Sequence, residues 1–211
     1  MNFEIIDNVF QVTVLFIAVV ADITYGILRK NRLYIILALS HGCFMMGTLY
    51  FVLYLTIRGV VPQIFYVAEI SWIASYLFLH SYQIVRYRNQ KISFSIIPLL
   101  CGIGIAVIAM CSRIFGPSWI STGAFALAAG SIVYISVFQI LYGDAARRKN
   151  IKTDSCLLLC VVLQLVLYIS SSFFHDYTKF NLYFAVDMML TIFLFLLFLC
   201  TLWEVERDDV Y

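Results

Sequence analysis

Seven apolar stretches, each about long enough to cross a bilayer, run almost end to end through the 211 residues, at 9–28, 33–57, 64–85, 93–112, 119–142, 155–174 and 180–203. A hydrocarbon core of roughly 30 Å takes about 20 apolar residues as helix, and lipid offers the backbone no water to bond, so each stretch is expected to be helical. A transmembrane barrel also satisfies its backbone, but its strands alternate apolar and polar residues, and the run from Leu190 to Leu199 shows no such alternation. The expected class is all-α, a polytopic membrane protein of seven transmembrane helices. With 63% hydrophobic and 12% charged residues, no length is left for a soluble domain, and 1–211 reads as one transmembrane domain.

Lys and Arg collect beside the cytoplasmic ends of membrane helices. Arg29, Lys30 and Arg32 follow the first stretch, Arg86, Arg88 and Lys91 the third, Arg147, Arg148, Lys149 and Lys152 the fifth, and Arg207 lies in the tail. Only Arg58, Arg113 and Lys179 fall on the other side. The expected orientation is therefore N-terminus outside and C-terminus cytoplasmic. No basic residue precedes the first stretch, which argues against a secretory signal. For so compact a chain the expected location is a bacterial cytoplasmic membrane. Its cations sit in short loops rather than on one face, so no nucleic-acid partner is expected.

The two ends of the chain echo each other. Asp22-Ile23-Thr24-Tyr25-Gly26 precedes one basic loop and Gln139-Ile140-Leu141-Tyr142-Gly143 another. Val52 to Thr56 resembles Val166 to Ser170, and Tyr66, Ala68 and Glu69 resemble Tyr183, Ala185 and Asp187. Three matches in one order point to two parallel three-helix repeats, 9–85 and 119–203, joined by a linker helix over 93–112. This three-plus-one-plus-three plan is similar in architecture to the SWEET sugar transporters and other PQ-loop proteins. Of their motif only a single Pro62-Gln63 pair is present, so no family membership follows.

Ionisable side chains inside a membrane are costly and usually face the bundle interior, where they mark pathways or sites. Here they are Asp22, His41, Glu69, His80 and Asp187. At 1.5 Å per residue, Glu69 and Asp187 lie roughly 8–10 Å below the outer boundary, and Asp22, His41 and His80 roughly 8–12 Å above the inner one. Glu69, Trp72, Tyr76, His80 and Gln83 recur at i, i+3, i+7, i+11 and i+14, one narrow stripe of the third helix. Cys160, Gln164, Tyr168, Ser171 and His175 form a weaker stripe on the sixth, His41, Met45 and Thr48 one on the second, and Gln11, Asp22 and Tyr25 one on the first. Such stripes either satisfy one another across helices or line a solute-sized cavity with aromatic walls and polar anchors. The expected ligand- or proton-binding set is Glu69, Trp72, Tyr76, His80, Asp187, Asp22, His41 and Gln164.

Three functions compete. A small transporter would cycle Glu69 or Asp187 through protonation and suits the repeats best. A seven-helix receptor matches the topology, but the tail after Glu204 is too short to signal without a partner, and no Lys lies within a span to hold retinal. An intramembrane metal-dependent hydrolase could use Asp22, His41 and His80, since two His and one carboxylate leave zinc an open position. His80, following Tyr76 to Leu79, resembles the His of lysoplasmalogenase-type membrane hydrolases, but Gly47-Thr48 stands where that resemblance calls for Gly-Asp. No cofactor is assigned. Cys156 and Cys160 share a helix face, and with no third ligand nearby all six cysteines read as packing residues. Small residues on the fourth helix (Gly102, Gly104, Ala106) and fifth (Gly123 to Gly130) form either a packing surface or a homodimer contact.

Overall fold

The computed structural model describes residues 3–60, 66–88, 90, 94–112, 119–143, 151–171, 173–174 and 178–208. Among these there are seven helices and no strand: α1 (Phe3–Arg29), α2 (Arg32–Arg58), α3 (Tyr66–Arg86), α4 (Ile96–Cys111), α5 (Trp119–Tyr142), α6 (Ile151–Ser170) and α7 (Leu182–Asp208). Five of them, α1, α2, α5, α6 and α7, are each long and apolar enough to cross a membrane. The fourth, with 16 residues, spans roughly 24 Å at 1.5 Å per residue. The third is diluted by its polar stripe. Pro62-Gln63 and His175 lie outside the described residues.

Several boundaries differ from the apolar runs. Helix α1 starts at Phe3, six residues before the run, because Glu4, Asp7, Asn8 and Gln11 sit at i, i+3, i+4 and i+7 and bury one polar face inside the bundle. Helix α6 starts four residues early to carry Thr153 and Asp154 into buried positions, and ends at Ser170. Between α1 and α2 only Lys30 and Asn31 intervene. Lys30 takes a left-handed backbone (φ 49°), and Asn31 caps α2 by accepting from the Leu33 amide at 3.0 Å.

Neighbouring helices close a ring in the order α1, α2, α3, α5, α6, α7 and back to α1, with α4 packed outside it against α5. That contact needs glycine. A Cβ on Gly102 would meet the Gly130 carbonyl at 2.7 Å, and one on Gly130 would meet the Gly102 carbonyl at 2.9 Å. Gly102 and Gly130 thus let two backbones touch within the chain, while a Cβ on Gly104 or Gly123 would meet nothing within 4 Å. Within the ring, Leu79, Ile132, Leu157, Leu190 and Leu194 are fully buried, and Phe125 stacks edge-on against both Tyr76 and Tyr168. The outer faces carry exposed Ile, Leu, Val and Phe, such as Ile57, Ile120, Leu127 and Phe16, the inverse of a soluble protein's surface.

Candidate functional site

The apolar ring encloses a cavity of about 280 Å³ at the end where α1, α3 and α7 begin and α2 and α6 finish. Its rim, formed by Glu4, Asn8, Ser171 and Tyr183, is half-buried. Gln11, Phe44, Phe51, Gln164, Leu167, Phe184 and Asp187 make a buried floor, and Trp72 and Tyr168 stand as walls. The size lies near the lower end of the ~300–1,000 Å³ occupied by ligand pockets generally.

A hydrogen-bonded chain crosses this floor. Gln11 on α1 donates through Nε2 to Asp187 Oδ1 at 2.8 Å and to Thr191 Oγ1 at 2.9 Å, both on α7. Its Oε1 accepts from Thr48 Oγ1 on α2 at 2.5 Å, and Thr48 in turn accepts from Trp72 Nε1 on α3 at 3.3 Å. Both ends of one amide are therefore used to fix a carboxylate and two hydroxyls from α7 and α2, and Thr48 extends the chain to the Trp72 indole of α3. Gln164, on α6, accepts from the Tyr76 hydroxyl at 3.2 Å, whose proton it shares with the Cys160 carbonyl at 3.1 Å.

Asp7 completes the acidic end. It is 1% exposed, and its Oδ2 has no hydrogen-bond partner. The spans drawn from hydropathy began at residue 9 and so passed over Asp7, although its place in the Glu4, Asp7, Asn8, Gln11 stripe was a usable signal.

Of the eight residues expected to form a site, Trp72, Gln164 and Asp187 line this cavity, and Tyr76 lies fully buried beneath it through Gln164. Glu69 faces α5, where Ser121 Oγ donates to it at 2.5 Å beside a void of about 10 Å³, the size of one water. Asp22 and His41 pair at 2.7 Å, both fully buried, and the second His41 nitrogen lies 2.9 Å from the Leu194 carbonyl, tying α1, α2 and α7 together. A carbonyl only accepts, so that nitrogen carries hydrogen. His80 stands apart, half-buried in an apolar groove of about 600 Å³ that runs along α4 and α5, with its Nδ1 unpartnered. Asp22, His41 and His80 therefore do not converge, and no three His, Cys, Asp or Glu among the described residues could hold a metal ion together.

The opposite end of the bundle is closed by charge. Arg86, at the end of α3 with its side chain 2% exposed, makes a two-pronged pair with Glu204 of α7, Nε to Oε1 at 2.8 Å and Nη2 to Oε2 at 2.7 Å. Its Nη1 reaches Asp154 Oδ1 of α6 at 3.1 Å. Thr153 donates to Glu204 at 2.8 Å, Tyr87 donates to Asp154, and one turn deeper Tyr82 and Thr201 bond at 2.8 Å. Burial pushes the Tyr87 phenol well above its ordinary value, so it remains a donor. Reading Arg86 as a loop cation missed this cluster, whose partners lie 68 and 118 residues away.

No protein-family model, no curated protein and no solved structure matches this chain.

Proposed function

We propose that this protein is a small multi-pass membrane transporter, its solute site being the cavity around Trp72, Gln164 and Asp187 and its conformation the outward-facing one of an alternating-access cycle. The observation that carries this reading is the asymmetry of the two ends: a solute-sized, partly polar cavity at one, and at the other a buried Arg86–Asp154–Glu204 ion-pair cluster joining α3, α6 and α7. A static bundle has no need of either. A carrier needs both, one end to admit solute and one to hold the far side shut.

Orientation and repeat enter the same proposal. The cluster shares its end of the bundle with Arg29, Lys30, Arg32 and Arg88, which on the positive-inside rule puts it on the cytoplasmic side and the cavity outside. The ring order maps onto itself when α1, α2 and α3 are exchanged for α5, α6 and α7. The exchange carries the α3–α5 contact onto α7–α1. Each of those contacts is bridged by an acid near the start of a third helix bonding to a first helix, Glu69 to Ser121 and Asp187 to Gln11. Such correspondence supports two parallel repeats with α4 as the linker.

The test is sided chemical access. Ser171→Cys, in a chain whose six native cysteines are replaced, is expected to react with a membrane-impermeant maleimide from the outer face of the membrane and not from the inner. Adding Asp154→Asn and Glu204→Gln should lower that outer labelling several-fold as the inner end opens. Equal labelling from both faces, or labelling indifferent to the added substitutions, would overturn the proposal.

A further inference from the structure

We propose that the cavity takes a small organic cation, an amine or quaternary ammonium held between the Asp187 carboxylate and the aromatic walls. The inference rests on reading the cavity as a solute site, but not on transport.

Charge is the first ground. Among the described residues the ionisable lining groups are Glu4 and Asp187 together with the phenols of Tyr168 and Tyr183, and none of them is Lys, Arg or His. Among the described residues no basic side chain pairs with Asp7 or Asp187 either, in contrast to the Asp22–His41 pair and the Arg86 cluster. An anion would meet like charge from Glu4 and Asp187. A neutral polyol would leave the buried acids uncompensated, whereas a cation supplies what the chain withholds.

The walls are the second ground. Phe44, Phe51, Trp72, Tyr168, Tyr183 and Phe184 surround the same space, and π-faces attract a desolvated cation. Of the cavity's amide donors, Gln11 Nε2 already serves Asp187 and Thr191.

The third ground is a second buried acid: Asp7, one turn before the Gln11 that holds Asp187, is 1% exposed and its Oδ2 has no hydrogen-bond partner.

Binding of benzyltrimethylammonium to the purified full chain in lipid nanodiscs tests this. Calorimetry is expected to show saturable binding of the cation, with uncharged benzyl alcohol at least tenfold weaker. Asp187→Asn should lower the cation's affinity at least tenfold while thermal unfolding shows the variant still folded. Equal affinity for benzyl alcohol, undiminished cation binding by folded Asp187→Asn, or no binding of the cation would each overturn the inference. Sided labelling of Ser171→Cys would still decide the transport reading by itself.

Discussion

Gly47 on α2 lies directly under the Trp72 indole of α3: a Cβ there would stand 2.8 Å from Nε1 and 2.9 Å from Cδ1, with the Ala68 carbonyl also at 2.9 Å. The absence of a side chain at this one position is what allows Trp72 to reach Thr48 and to form a wall of the cavity. Gly47→Ala is therefore expected to displace the ring, break the Trp72–Thr48 bond and lower stability by about 1–3 kcal/mol through overpacking. Thermal unfolding in detergent, together with a shift in Trp emission, checks it.

The inner cluster behaves as one unit. Arg86→Met would leave Asp154 and Glu204 buried without their cation, and removing one partner of a buried pair costs about 3–5 kcal/mol. Thr153→Val removes a single donor to Glu204 and should cost about 1 kcal/mol. Equilibrium unfolding of both variants measures the difference. Equal effects would mean that Arg86 is not the hub.

Asp22 and His41 give a cleaner contrast. His41→Phe strands a fully buried carboxylate, and a loss of several kcal/mol is expected. Asp22→Leu combined with His41→Phe removes both polar groups and should recover most of that loss, since replacing both partners is far cheaper than orphaning one. A double-mutant cycle reports the coupling directly.

Helix α4 hangs on its glycines. Gly102→Val would drive a branched side chain into the Gly130 carbonyl and part α4 from α5. Lower thermal stability with unchanged benzyltrimethylammonium affinity is expected, because none of the cavity's lining residues lies on α4.

Apolar runs of bilayer length made the seven helices legible, because lipid leaves such runs no other backbone solution. Which neighbours the polar stripes would meet was not legible. Period alone puts Glu69, Trp72, Tyr76 and Gln83 on one narrow face of α3, yet that face looks onto three helices. Trp72 turns to α2, Tyr76 to α6, and Glu69 and Gln83 to α5. Expecting the whole stripe along one hollow ignored that a central helix has partners on every side. Asp187 was expected beside Glu69 as an outer pair, but Asp187 is bonded by Gln11 of α1 and Glu69 by Ser121 of α5. Hydropathy windows discount an acidic first turn even when its spacing is helical. The pairing of Arg86 with Glu204 depends on which helix ends meet, a fact that no local pattern carries.

Distances between paired spin labels test alternating access most directly, with one pair across the outer end at Asn8 and Ser171 and another across the inner end at Arg88 and Lys152. Breaking the cluster with Asp154→Asn and Glu204→Gln is expected to lengthen the inner distance while shortening the outer one, as a rocking bundle requires. An inner distance that lengthens with the outer unchanged, or two distances that never move, would contradict the account.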